Sequence, residues 1–143
     1  ISKRELGCDF FLNARVDSFL AFSNDPELTL KEGLTRGKIY ADAGADCIFF
    51  IGVPSRQIIE QLVREIPKPV SILANAQTPP VPVLQELGVA RVSYGNAFAY
   101  AAAGAIQRLA KEIQGPGTIS GLSEGMARSE LFALMRDRQS YTG

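Results

Sequence analysis

Four short apolar segments stand out along the chain, and mixed polar and apolar stretches separate them. They are Asp9–Ala14, Cys47–Ile51, Val70–Ala74 and Arg91–Tyr94. Their apolar residues run nearly without interruption, which is typical of strands in a parallel sheet that is covered on both faces. The pattern therefore predicts four such strands.

Segments with helical periodicity lie between and after these strands. The first helix is predicted to begin at a capping box, Thr29–Glu32, and to end at Gly44, a residue free to adopt a left-handed conformation. A second apolar stripe stops at Pro67, because proline cannot continue a helix. The later helices are predicted over residues 81–87 and 97–113, and a last one from Ser123 onwards.

The alternation of strands and helices predicts an α/β fold built from βα units with a parallel sheet. An open doubly wound sheet and part of a (β/α)8 barrel are both compatible with it. The glycine-rich fingerprints of nucleotide-binding sheets are absent from the sequence. A full barrel needs about 250 residues, so four units amount to half of one. We predict one segment of βα units over residues 1–114 and a helical extension over 115–143.

The overall charge argues against some classes of partner. Fifteen Lys and Arg balance fifteen Asp and Glu, which leaves no positive excess for nucleic acid or an anionic membrane surface. No apolar run approaches the ~20 residues of a membrane span. The first residues carry no signal-peptide core, so a cytoplasmic location is expected.

The absence of histidine excludes imidazole bases and histidine-ligated metals. Cys8 and Cys47 have no metal-type spacing, and we interpret them as structural thiols in a reducing compartment. No lysine follows a predicted strand, so Schiff-base chemistry has no candidate.

Ligands of parallel α/β proteins bind beyond the carboxyl ends of the strands, where the first strand offers Asn13, Arg15 and Asp17 on one face. The Arg15 guanidinium is a planar fork of donors for a carboxylate or phosphoryl group. The alternative is an Arg15–Asp17 ion pair that only fills the mouth. Asp17 alone is not a metal site, because a divalent cation requires several convergent carboxylates.

Two further candidates follow the third and fourth strands. Asn75 could hold a substrate oxygen through its amide, or it could form the turn before Thr78. Gly95 leads directly into a helix, where free N–H groups could bind an anion, or it could provide only a tight turn. The second strand ends at Ile51 and Gly52, with no ionisable group.

Four motifs, in order and spacing, resemble the second half of the isocitrate lyase/phosphoenolpyruvate mutase superfamily. They are Phe11–Asp17, Tyr40–Phe49, Pro69–Asn75 and Leu87–Gly95, and the resemblance extends from about Asp9 to Ile113. It implies strands five to eight of a (β/α)8 barrel. It also implies a lyase or mutase that acts on 2-oxo acids or their phosphonates through an enolate held by Mg²⁺.

The resemblance further implies that Arg15 binds the anionic group of the substrate and that Asn75 contacts the substrate. A C-terminal helix is often exchanged between subunits in this superfamily, so the segment after Gly117 suggests a homo-oligomer. Ile51 stands where the lyases carry Glu and the true mutases His, which favours less specialised members. The Mg²⁺ ligands of the superfamily lie on strands that have no counterpart in this chain.

Two hypotheses follow. The first is that the chain is the C-terminal half of a Mg²⁺-dependent lyase or mutase-like enzyme, inactive without its other half. The second is a non-catalytic half-barrel that binds anions or serves as an assembly module.

Overall fold

Strands and helices alternate through most of the chain. The computed structural model describes Gly7 and residues 9–136, so the predictions for Cys8 and for the first residues lie outside the described part. The elements are β1 (Asn13–Val16), α1 (Ser18–Ala21), α2 (Pro26–Asp42), β2 (Cys47–Phe50), α3 (Arg56–Glu65), β3 (Val70–Leu73), α4 (Val81–Glu86), β4 (Arg91–Ser93), α5 (Ala97–Gln114), a 3₁₀ helix (Ser120–Glu124) and α6 (Arg128–Arg136).

The chain divides into two compact units, Ile1–Gly95 and Asn96–Gly143. The first unit contains all four strands and helices α1 to α4, and the second contains α5, the 3₁₀ helix and α6. The predicted domain boundary at residue 115 stays a prediction.

The sheet confirms the predicted α/β class. Its four strands lie in the order β1-β2-β3-β4, and every neighbouring pair is parallel. Parallel neighbours need a crossover connection, which α2, α3 and α4 provide in turn. A doubly wound sheet reverses its strand order, whereas a barrel does not, so this order is consistent with a partial barrel.

The hydrophobic core of the first unit lies on one face of the sheet. Each strand residue of the core is nearly inaccessible and alternates along its strand with residues of the other face: Val16, Ile48, Phe50, Val70 and Ile72. Helical residues of the same cluster cover them, among them Ile59 and Leu62 of α3 and Leu84 of α4. Alternation along a strand explains this division, because successive side chains point to opposite faces.

The opposite face, here called the open face, corrects the expectation of a sheet covered on both sides. Its residues are related by the parallel register, which aligns Arg15 with Phe49, Phe49 with Ser71, and Ser71 with Arg91. Arg15 and Arg91 are exposed, Phe49 is half-buried and Ser71 is buried. The continuous apolar runs predicted two covered faces, but the open face carries polar residues at several strand positions: Asn13, Arg15, Ser71, Arg91 and Ser93.

Two glycines of α2 allow this helix to lie close to its neighbours. A Cβ at Gly37 would stand 2.6 Å from Ile66 Cδ1 and 3.1 Å from Phe50 Cζ, and one at Gly33 would stand 2.9 Å from Ser18 Oγ. Real Cβ contacts are longer than this, so a larger side chain would push the helix away from the core.

The predicted start of the first long helix is wrong. Helix α2 begins at Pro26, and the side chain of Asp25 accepts a hydrogen bond from Leu28 N at 3.0 Å as its N-cap. Proline suits the first helical position, because its ring presets φ and its missing N–H has no helical partner there. Thr29 is instead buried, with its hydroxyl donating to the Phe22 carbonyl. The predicted end holds, since α2 stops at Asp42 and Gly44 has φ +100°.

The predicted start of the last helix at Ser123 is also wrong. Residues Ser120–Glu124 form a 3₁₀ helix, and α6 begins at Arg128. The reason lies on α5, where one Glu112 carboxylate oxygen accepts hydrogen bonds from Thr118 Oγ1 and Ser120 N, both at 2.7 Å, and from the Ser120 hydroxyl. The other oxygen accepts from Gly121 N at 3.1 Å. This carboxylate therefore fixes the chain after the Gly115–Gly117 turn.

These hydrogen bonds make the second unit sensitive to acid. The hydroxyls of Ser120 and Thr118 stabilise the charged carboxylate and lower the pKa of Glu112 from 4.5 to about 2. A lowered folded-state pKa gives stability that is present above pH 4.5 and is lost as pH falls through about 2. We expect the amide NMR signals of Ser120 and Gly121 to shift with a midpoint near pH 2.

Glu112→Gln should abolish this transition, because the amide does not titrate. Glu130→Gln, on α6, is the matched control and should leave it unchanged. A midpoint near pH 4.5 in the unaltered chain would contradict the structure, since that is the value of an unassisted carboxyl.

The position of the cysteine within the described residues makes its thiol unreactive. Cys47 is buried and unbridged, and burial raises the pKa of its thiol, which keeps it protonated. This supports a structural role. Within the described part, no helix combines the length and the apolar character needed to cross a membrane.

Candidate functional site at the carboxyl ends of the strands

Because all four strands are parallel, their carboxyl ends meet at one edge of the sheet. Arg15 and Asp17 stand at the end of β1, Asn75 follows β3, and Gly95 follows β4. Neighbouring strands are about 4.8 Å apart, so Asn75 stands two strand spacings and Gly95 three spacings from β1 along the sheet. In the described residues, no hydrogen bond joins Arg15 to either of them.

The structure brings Arg15 and Asp17 into direct contact. Arg15 Nε donates to Asp17 Oδ1 at 2.6 Å, and the two side chains are 57% and 53% exposed. Asp17 is also the N-cap of α1, but its carboxylate makes no capping hydrogen bond there. The carboxylate is thus committed to Arg15, as the ion-pair alternative predicts.

This ion pair does not use up the guanidinium. In the part of the chain that the structure describes, Arg15 bonds the carboxylate through Nε, and neither terminal Nη group takes part in that bond. An exposed ion pair contributes little to stability, about 0–1 kcal/mol. Its geometry instead restricts the rotation of Arg15 on the open face. A partly restrained arginine fork is suited to a planar carboxylate or a phosphonate.

Asn75 forms a turn in addition to any role in binding. Its Oδ1 accepts from Gln77 N at 2.8 Å and from Thr78 Oγ1 at 3.2 Å, and its own N–H donates to Thr78 Oγ1 at 2.8 Å. The amide oxygen is therefore occupied within an Asx turn. The Nδ2 group is a donor and is the part of Asn75 that could reach a substrate oxygen.

Gly95 forms the tight turn that is one of the two alternatives its sequence allows. Its φ of +51° lies in the left-handed region, and a Cβ there would stand 3.0 Å from Leu73 Cδ1, so the position requires glycine. Its N–H donates to Ser93 Oγ at 3.3 Å. That long bond occupies the amide, which makes the turn the better supported role.

The end of β2 gives the site an apolar section. Ile51 and Val53 are both buried, and Gly52 has φ +74°. Among the described residues, no group of three or more His, Cys, Asp or Glu side chains could hold a metal ion. The carboxyl edge therefore offers donors for an anion and no cluster of ligands for a cation.

Arg91 was not among the candidate residues predicted from the sequence. This residue begins β4, and its guanidinium carbon lies 5.8 Å from the Phe49 ring centroid while Nη1 donates to Ser71 Oγ at 3.4 Å. It belongs to the register row that also contains Arg15. The signal was available in the alternation of Arg91, Val92 and Ser93, but the pairing of strands was needed to assign the face.

Comparisons with known proteins agree with this geometry. The family model of phosphoenolpyruvate phosphomutase matches residues 2–114. The chain belongs to the phosphoenolpyruvate phosphomutase family. The predicted superfamily, which also includes isocitrate lyase, is confirmed.

Individual members of this family are similar over much of the chain. An uncharacterised protein of Mycobacterium tuberculosis is 37% identical over 121 residues, which are 78% of this chain and 43% of that protein. A crystal structure described as a candidate lyase/mutase from Burkholderia cenocepacia is 30% identical, with a TM-score of 0.79, and covers 93% of this chain and 47% of the other.

A crystal structure of phosphonopyruvate hydrolase in complex with oxalate and Mg²⁺ is 26% identical, with a TM-score of 0.66, and covers 93% of this chain and 48% of the hydrolase. This phosphomutase-family chain thus spans less than half the length of the curated relatives it matches. The chain therefore resembles lyases and mutases, the classes of enzyme named among its relatives.

Proposed function

We propose that this chain is one half of a (β/α)8 barrel, contributing strands five to eight to an enzyme that makes or breaks a C–C or P–C bond. Its substrate would be a small 2-oxo acid or the corresponding phosphonate. The observation that carries the proposal is the position of Arg15, which stands at the carboxyl end of β1 on the open face with Nε tethered to Asp17.

Arg15 would bind the anionic group of the substrate through its two Nη groups. A bidentate, charge-assisted contact of this kind is both strong and directional. Asp17 would act through Arg15, because an ionised carboxylate repels an anion but holds the guanidinium in one orientation. Limiting the rotation of Arg15 lowers the entropic cost of binding.

Asn75 and Gly95 would complete the substrate side of the site. The Nδ2 of Asn75 would donate to a carbonyl or carboxylate oxygen of the substrate, while its Oδ1 fixes the loop. Gly95 would let the backbone turn closely past the ligand, since a side chain there would meet Leu73.

The described residues do not fit a magnesium site, since they contain no suitable cluster of ligands. We therefore assign the proposed Mg²⁺ ligands to the remaining half of the barrel. When bound, Mg²⁺ would supply stabilisation of the enolate oxygen. This chain would contribute recognition of the anion. The proposal includes a cytoplasmic location and a homo-oligomeric enzyme, for which the segment after Gly117 would supply an exchanged helix.

Turnover assays with and without the other half test this proposal. With Mg²⁺ and phosphonopyruvate or oxaloacetate, the chain alone should give no turnover above background. Adding the part of phosphonopyruvate hydrolase that lies outside the matched segment should restore activity on phosphonopyruvate, because both sets of residues are then present. The intact hydrolase is the positive control.

Two results would contradict the proposal. Robust turnover by the chain alone would show that the site is complete without another half. An assembled but inactive complex would contradict an enzymatic role and favour the alternative of an anion-binding or assembly module.

A further inference from the structure

Arg91 occupies an unusual place for a strand residue. It stands on the open face, where Nη1 donates to Ser71 Oγ at 3.4 Å and the guanidinium lies over the Phe49 ring at 5.8 Å. In the described part of the chain, no carboxylate forms an ion pair with it. Both contacts are with residues of the same sheet, on β2 and β3, and Arg91 is nonetheless exposed to solvent.

The apolar side chains around Arg91 suit the open face to contact with another polypeptide. Phe49 and Leu73 are only half-buried, and both lie next to the buried Ser71: Phe49 is opposite it on β2, and Leu73 is two residues further along β3. The edges of the sheet, β1 and β4, each have one neighbour, so both can accept a further strand. Covering this face would remove Arg91 from water, and a buried guanidinium is costly without a counter-ion.

The charges of the open face indicate what can cover it. Arg15 and Arg91 bring two positive charges, and Asp17, bound to Arg15, brings one negative charge. A second copy of this chain would bring the same excess, so two copies facing each other would place like charges together. The polypeptide that covers the open face must instead place at least one carboxylate next to Arg91.

We propose that the open face is a docking surface for the remaining half of a family-length protein, and that this half binds Arg91 through a carboxylate. The Burkholderia structure has the required length, since the region matched by this chain covers 47% of it. Arg91 is a positioning residue for assembly. The inference rests on the proposed half-barrel, but its readout is binding, so it can fail separately from catalysis.

Binding of the chain to the unmatched half of the Burkholderia protein tests the proposal. The two polypeptides would be co-expressed, and the dissociation constant measured after separation and remixing. Arg91→Gln should weaken binding at least about tenfold, because it leaves the partner carboxylate unpaired. Arg91→Lys, which keeps the charge but loses the planar fork, should lie between Arg91→Gln and the unaltered chain.

Arg64→Gln is the matched control, since Arg64 lies on α3 with an exposed side chain, and its dissociation constant should not change. The unfolding midpoint of the free chain should be nearly the same with and without Arg91→Gln, which separates docking from folding. Failure of the unaltered chain to bind would overturn the docking surface. Binding that Arg91→Gln leaves unchanged would overturn the carboxylate contact.

Discussion

Replacing Phe50 with alanine is expected to lower the free energy of unfolding by about 3–5 kcal/mol. Phe50 is inaccessible to solvent at the end of β2 and meets the Phe19 ring edge-on, with centroids 6.2 Å apart. It also packs closely against α2, where a Cβ at Gly37 would stand 3.1 Å from Phe50 Cζ. Truncation would therefore create a cavity that the surrounding helices and strands cannot fill.

This loss is large relative to the total stability of a domain, about 5–15 kcal/mol. Urea unfolding followed by circular dichroism measures it. Phe11→Ala is the matched control, since Phe11 is 68% exposed, and it should change the stability by no more than about 0.5 kcal/mol. Equal effects of the two substitutions would contradict the placement of the core on the helix-covered face.

Under the proposed function, the chain binds a small dicarboxylate such as oxalate, and Arg15→Gln is expected to weaken this binding by about tenfold to a hundredfold. The substitution removes the positive charge and both Nη donors, and losing one partner of a charge-assisted contact typically costs about 2 kcal/mol or more. Arg15→Lys should fall between, because a lysine keeps the charge without the fork. Titration calorimetry measures the affinities.

Asp17→Asn should give a smaller loss, since it releases the Nε tether but keeps the guanidinium. Arg64→Gln controls for the loss of one exposed positive charge far from the open face. An unchanged oxalate affinity in Arg15→Gln would show that the anion binds elsewhere, and the proposed role of Arg15 would be wrong.

Strands β2, β3 and β4 could be predicted to within one residue, because each follows a helix-ending signal (Gly44, Pro67 or Gly88) and carries apolar residues on its helix-covered face. The start of the first strand could not. Phe10 and Phe11 read as strand core, but they are exposed, and β1 begins at Asn13. Just before β1, Leu12 N donates to the Asp46 carboxylate at 2.7 Å. The two residues are 34 positions apart, so no local sequence pattern predicts this contact.

In the candidate site, too, a contact between residues close in sequence was predictable, whereas contacts between strands were not. The contact of Arg15 with Asp17 was predictable, since residues two apart on a strand share a face. The role of Arg91 was not, because its face depends on which residues of β2 and β3 lie beside it. The 3₁₀ helix at Ser120 likewise depends on Glu112, eight residues earlier on α5.

Arg15, held by Asp17, is proposed to bind the anionic group of the substrate on the open face. Nuclear magnetic resonance of the isotopically labelled chain during an oxalate titration tests it most directly. We expect the side-chain Nε–Hε signal of Arg15 to shift most and to saturate, and the side-chain amide signal of Asn75 to shift less. A saturating shift at Arg91 or Arg128 while the Arg15 signal stays in place would contradict it.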